Sequence, residues 1–254
     1  MISALTRKAQ NLMRDPALRR WVIARLLGQV KAPPPYRAHR PPYLADMLPL
    51  PDETPTVAVQ TTPVGAPSDE IVLPLPGKTV TVSADNPGAF FDDTDDDIET
   101  ALARHRFAWL PLLIDSIDPA WVTALWDAWQ ARFGTPGDGW AWHPYTAAER
   151  AVNLLDFLRR QGAPADAAAA LALHAPAIAG RLEYFGEHDT SNHLCNNGRG
   201  LYRLGAELGL SEARRMGFAI LTNEADRILG PGGVLREGSS HYQYLYARNF
   251  ADVW

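Results

Sequence analysis

Two stretches of this 254-residue chain concentrate side chains able to do chemistry. In 188-HDTSNHLCNNGRGLYRLG-205, Asn192, Asn196, Arg199 and Arg203 recur at i, i+4, i+7 and i+11. That spacing makes one stripe of a helix, with Leu194, Leu201 and Leu204 largely off it. Asparagine is a poor helix former, so its repetition points to hydrogen-bonding work; a face merely in water would favour Lys and Glu. In 232-GGVLREGSSHYQYLYARNF-250, Tyr242, Tyr246 and Asn249 share a helical face, with Tyr242 in the first turn. A phenol there can exchange protons in a cleft; a tyrosine-rich packing interface is the alternative.

Other constellations point less far. Glu183, Glu187 and Asp189 offer the carboxylates of a glycoside hydrolase, but nothing in the sequence fixes their separation. His188 and His193, five residues apart, point in different directions on a helix, unlike a metal-binding pair at i and i+4. In the acidic run 92-DDTDDDIE-99, Asp93, Asp95 and Asp97 have the spacing of a calcium loop, yet Ile98 stands where its glycine is required. These carboxylates fit better as favourable charges before a helix N-terminus. No metal and no other cofactor is expected.

These groups must be positioned by a mainly α-helical body. Apolar residues make up 46% and charged residues 21%, as in ordinary globular proteins. The net charge of −5 argues against a nucleic-acid partner. The single cysteine, Cys195, excludes an internal disulfide. No apolar run is long enough for a membrane span. The first residues lack the uninterrupted apolar core of a secretory signal, so the chain as written is expected in the cytoplasm, with a periplasmic or exported location left open. Residues 1–31 read as a helix with a ragged apolar face. Residues 32–85 form a connector, because 12 of the 21 prolines fall between Pro33 and Pro76; within it EIVLPL and KTVTVS alternate as a hairpin around Pro76-Gly77. From 86 to 254 the pattern is helical. Asp118-Pro119 opens one helix, Thr146 and Glu149 form a capping box for another, 164–185 is a third, 191–208 a fourth, Ser211 caps a fifth, and Ser239 or Ser240 opens the last. Short turns between them suggest antiparallel pairs, in a bundle or a helical toroid.

Three segments, 142-WHPYTAAERAVNLLDFL-158, 192-NHLCNNGRGL-201 and 231-PGGVLREGSSHY-242, occur in the order seen in the heparinase II/III-like polysaccharide lyases, which the chain resembles over residues 105–254. The resemblance implies an incomplete (α/α) toroid preceded by the Pro-rich segment, and β-elimination on an acidic, uronate-containing polysaccharide or oligosaccharide. It also implies roles. Asn192, helped by His193, neutralises the uronate carboxylate, and Tyr242 is the acid or base. Glu237, on the substrate-binding side, orients Tyr242 or a neighbouring backbone group. Trp142 and His143 line a sugar subsite, Trp142 as plain core being the equal alternative, and Asn196, Arg199 and Tyr246 face the glycan groove. Relatives continue past this point, so self-association or a partner chain is expected to complete the toroid. A non-catalytic glycan-binding or polysaccharide-assembly protein on the same scaffold is the alternative function.

Overall fold

The computed structural model describes residues 9, 12–13, 16–29, 41–47, 49–57, 64–92, 97–162, 167–185, 192–230, 232–236 and 238–253. It divides into two units, Met1–Ala38 and His39–Trp254. The first carries helix α1 (Pro16–Leu26), on which Ile23 and Leu26 are exposed. The second contains the connector from residue 39 onward, the hairpin and all the remaining helices described below.

The hairpin read from the alternation is present. Strands β1 (Glu70–Leu75) and β2 (Lys78–Ser83) pair antiparallel with Leu75 opposite Lys78. Pro76 presets the turn, and Gly77 takes the positive φ of 73° that the next turn position requires. Leu73, Leu75 and Val82 bury one face.

Helix α2 (Ile98–Arg106) starts at Asp97, whose carboxylate accepts the Thr100 N–H at 2.9 Å. It ends at Phe107, a buried residue held left-handed at φ 53°. After the short α3 (Leu110–Leu113), α4 (Pro119–Phe133) begins as expected, with Asp118 capping the Ala120 N–H. Its Trp126 and Trp129 stack at 5.4 Å and build the core with Trp109, Trp142 and Phe107. Helix α5 (Pro144–Gln161) starts before the expected capping box, because Pro144 already supplies a preset first turn. Glu149 is drawn instead to Arg199 and Arg248.

The alanine-rich stretch expected as one helix is two, α6 (Ala167–Ala172) and α7 (His174–Ala179). Pro176, in the first turn of α7, has no N–H for a continuous helix. Helix α8 (His193–Leu208) and α9 (Ser211–Ile228) form an antiparallel pair joined at Gly209, which is left-handed at φ 73°. Ser211 does not cap α9. Glu53, from the connector, accepts the Glu212 and Ala213 N–H groups at 3.0 and 3.2 Å and the Ser211 hydroxyl at 3.0 Å. Next to it, the Thr56 N–H donates to the Leu208 carbonyl at 2.9 Å, closing α8. Helix α10 (Ser240–Ala251) is capped by Ser239. Among the described residues, no helix is long and apolar enough to cross a membrane.

The α8–α9 contact is backbone-close. A Cβ on Gly217 would lie 2.3 Å from the Tyr202 nitrogen, and one on Gly205 2.3 Å from the Arg214 nitrogen. Neither backbone atom can swing away, so the helices would have to separate. Gly217→Ala gains about 1 kcal/mol of helix propensity, but overpacking costs about 1–3 kcal/mol or more. The variant should therefore melt several degrees lower, while Gly137→Ala, with nothing near its Cβ site, should not change. Equal melting temperatures would refute the close contact.

Acid should destabilise the fold. Burial, reinforced by Arg150, pushes His105 down to about 4, and burial lowers fully enclosed His174 in the same direction. Above the ordinary histidine value both folded and unfolded forms are neutral, so nothing changes there. Below about 6.5 the unfolded chain takes protons the folded one refuses, and stability falls until about pH 4. Denaturant midpoints at about pH 7 and about pH 5 test this; a midpoint unchanged or higher at the lower pH would contradict it.

Candidate functional site

A cluster of polar side chains forms where three segments meet. The short turn Trp140–Trp142 leads into α5 and leaves His143 and Tyr145 at that helix's start. The non-helical residues after α7 deliver Glu183. The first five residues of α8 include His193 and Asn197.

Glu183 is the floor, its side chain only 6% exposed. Oε1 accepts from His193 Nδ1 at 2.6 Å and lies 3.5 Å from His143 Nε2. Asn197 clamps the same residue twice: its Nδ2 donates to Oε2 at 3.3 Å, and its Oδ1 accepts the Glu183 N–H at 3.1 Å. The two imidazoles form the rim, 41% exposed for His193 and 32% for His143. The Tyr145 ring sits 4.8 Å from the His193 ring, and the Arg106 guanidinium lies over Tyr145 at 5.0 Å. Asn192 is the residue before α8; its side chain is buried and does not cap the helix.

A carboxylate on Nδ1 selects the tautomer of His193 with the proton there, which leaves Nε2 with a lone pair, the form of a general base. Burial lowers His143, opposed in part by Glu183. Burial, then Glu149, raises Tyr145, so its phenol keeps its proton at neutral pH and can act as an acid. Among the described residues, no group of three or more His, Cys, Asp or Glu is arranged to hold a metal ion.

The other expected site residues divide sharply. The stripe on α8 faces inward and does not border a groove. Asn196 is 0% exposed and donates to the Tyr145 carbonyl at 3.1 Å. Arg199 is buried between Glu149 and Asp252, and Arg203 between Asp156 and Glu207. The reason is that α8 is central, packed on α5, α7, α9 and α10, so the face carrying the stripe meets protein in place of water. Trp142 takes the core alternative, 4.7 Å from the His174 ring. Tyr246, 1% exposed, packs with Cys195, Leu221, Ile228 and Leu235 and corrects its assignment to a subsite. Tyr242 is half-buried against that cluster. Asp252 reaches Arg199 and Arg203 while Tyr246 packs by Cys195, so α10 runs beside α8 in the same direction. Tyr242 therefore stands at the end of the pair where Asn192 stands. Glu237, His188, Glu187, Asp189, Asp93 and Asp95 lie outside the described residues.

Sequence reasoning assigned no role to Tyr145 and Asn197. The signal for Tyr145 was present, as the fourth residue of WHPY; Asn197 sits one position off the stripe. Comparison with family models, with curated proteins and with solved structures finds no match to this chain.

Proposed function

We propose that the protein is a polysaccharide lyase, or part of one, which cleaves a uronate-containing glycan by β-elimination. One observation carries the reading. The WHPY segment and the NHLCNN segment, some fifty residues apart, deliver His143 and His193 to a single buried carboxylate, Glu183, with Tyr145 against the His193 ring. The scaffold is read as an incomplete (α/α) toroid, for which the antiparallel α8–α9 pair is the support.

In the proposed step Asn192 donates a hydrogen bond to the substrate carboxylate, where negative charge builds as the C5 proton leaves. His193 Nε2 takes that proton. The C5–H electrons form the C4=C5 double bond, the C4–O4 bond breaks, and a phenol protonates the departing O4. Tyr145 fills the phenol role by its position beside His193, and Tyr242 is the second candidate. Glu183 and Asn197 are positioning residues that hold the imidazole. The test is ultraviolet detection of unsaturated product over a panel of polyuronates and glycosaminoglycans. Ultraviolet absorbance of unsaturated product is expected for at least one member. New reducing ends without absorbance would mean hydrolysis.

A second reading, glycan binding without chemistry, is favoured by the deep burial of Asn192, which limits its reach to a substrate carboxylate. Saturable binding with no product across the panel would select it.

A further inference from the structure

Residues 1–31 differ in charge from the rest of the chain. They hold 7 of its 24 lysines and arginines and only 1 of its 29 aspartates and glutamates, Asp15, so a chain of net charge −5 carries +6 there and −11 elsewhere. Such asymmetry points to an anionic partner for the basic segment. Helix α1 shows what else that partner must offer. Ile23, Leu26 and Leu27 stand at i, i+3 and i+4 and so share one side; the Leu27 N–H donates to the Ile23 carbonyl at 3.0 Å, which carries the helical turn on to it. These three side chains are 57%, 82% and 65% exposed. Arg19 and Arg20, also exposed, lie one turn earlier on the same side. A helix that packs on protein turns its apolar side inward and its charges to water; here both kinds of side chain meet water together.

We propose that α1 lies on the surface of an anionic lipid bilayer, along it and not across it. Its 11 residues rise about 16 Å, half of the hydrocarbon core's ~30 Å. At the interface each part has a place: Ile23, Leu26 and Leu27 enter the boundary between headgroups and acyl chains, and the arginine stems run beside them while the guanidiniums reach headgroup phosphates and carboxylates. Arg19 spends one N–H on the Met13 carbonyl and keeps its charge. A soluble polyanion, whether nucleic acid or acidic glycan, would satisfy the arginines and leave the apolar side chains in water. An apolar protein groove would cover the apolar side chains and desolvate the arginines. The rest of the chain, at −11, is repelled by an anionic surface, so the attraction has to come through residues 1–31. None of this depends on the lyase reading.

The test is co-sedimentation of the whole chain with vesicles of phosphatidylcholine mixed with phosphatidylserine, against vesicles of phosphatidylcholine alone, at low and high salt. Binding to the mixed vesicles is expected, weaker at high salt as screening sets in. Each basic residue near such a surface is worth roughly fivefold in affinity, so Arg19→Gln with Arg20→Gln should weaken binding about tenfold or more. Arg19→Lys with Arg20→Lys keeps the charge and should bind like the parent. Leu26→Gln with Leu27→Gln should also weaken binding about tenfold or more, through lost apolar burial. No binding to the mixed vesicles, equal binding to phosphatidylcholine alone, or indifference to the arginine or the leucine pair would each overturn the assignment. Capture of dextran sulfate that needs the arginines and ignores the leucines, with no vesicle binding, would make the segment a polyanion site instead. Dimerisation in gel filtration without lipid, abolished by the leucine pair, would make a second copy the occupant and overturn it too.

Discussion

His193→Ala is expected to lower elimination turnover by about 10²–10⁴-fold, the usual contribution of a positioned general base, with the melting temperature close to that of the parent chain. The small stability change follows from exposure: the imidazole is 41% open to solvent, so water can replace its hydrogen bond to Glu183, and its ring contacts are with Tyr145 and His143 at the same open edge. A surviving rate above about a tenth of the parent's would remove His193 as the base.

Glu183→Gln separates positioning from mere packing. The carboxylate accepts from Nδ1, whereas the glutamine amide can donate to it and so favour the tautomer whose Nε2 carries the proton. The base would then be lost without loss of the ring, and turnover should fall nearly as far as in His193→Ala. Because Glu183 is buried and clamped by Asn197, some stability is lost as well. The discriminating readout is the split between kcat and KM: loss of the required tautomer should lower kcat with KM unchanged, and a purely structural role would disturb both. Tyr145→Phe and Tyr242→Phe each remove one hydroxyl, and the one that abolishes product with KM unchanged identifies the acid. Two fully active phenylalanine variants would leave no phenol in the mechanism.

What was legible in the sequence depended on how far away the deciding partner sits. Asp118-Pro119, Ser239 and Pro76-Gly77 act on their own neighbours, and all three elements begin or turn where those residues say. The start of α9 does not, since its cap is Glu53, 158 residues away from Ser211. The capping box at Thr146 fails because Glu149 has better partners in Arg199 and Arg248, which no local pattern contains. Periodicity identified the stripe Asn192, Asn196, Arg199 and Arg203 as one face. It could not say that the face meets buried carboxylates and carbonyls in place of water, because that depends on how many neighbours α8 has. Glu183 was visible only as one acid among several. It lies between helices, where there is no period to read, and its meaning comes from His193 and Asn197 arriving beside it.

The largest loss of stability is expected at Arg150. It is fully buried, and among the described residues no carboxylate pairs with it. Its guanidinium lies 3.9 Å from the Trp129 ring centre and 5.0 Å from that of Trp142. Nε donates to His174 Nε2 at 3.0 Å, and Nη1 to the carbonyls of His105 and Ala141 at 3.0 and 2.6 Å. Arg150→Ala would open a cavity between two indoles and strand those acceptors, a loss of about 3–5 kcal/mol by comparison with large-to-small core changes. Arg150→Met distinguishes the two causes. It refills most of the volume, and exchanging a buried charge for an apolar side chain can be neutral or stabilising. It still leaves three acceptors unpaired, so an intermediate loss is expected. If methionine matches arginine in denaturant midpoint, packing alone explains the site; if it is as poor as alanine, the hydrogen bonds dominate. The Ala141 carbonyl belongs to the turn that carries Trp140 and precedes His143. Freeing it should shift His143 and Trp140 together, so Arg150→Met is also expected to raise KM for oligosaccharides at temperatures where the fold is intact. An unchanged KM in a well-folded Arg150→Met chain would show that the turn holds its place without the arginine.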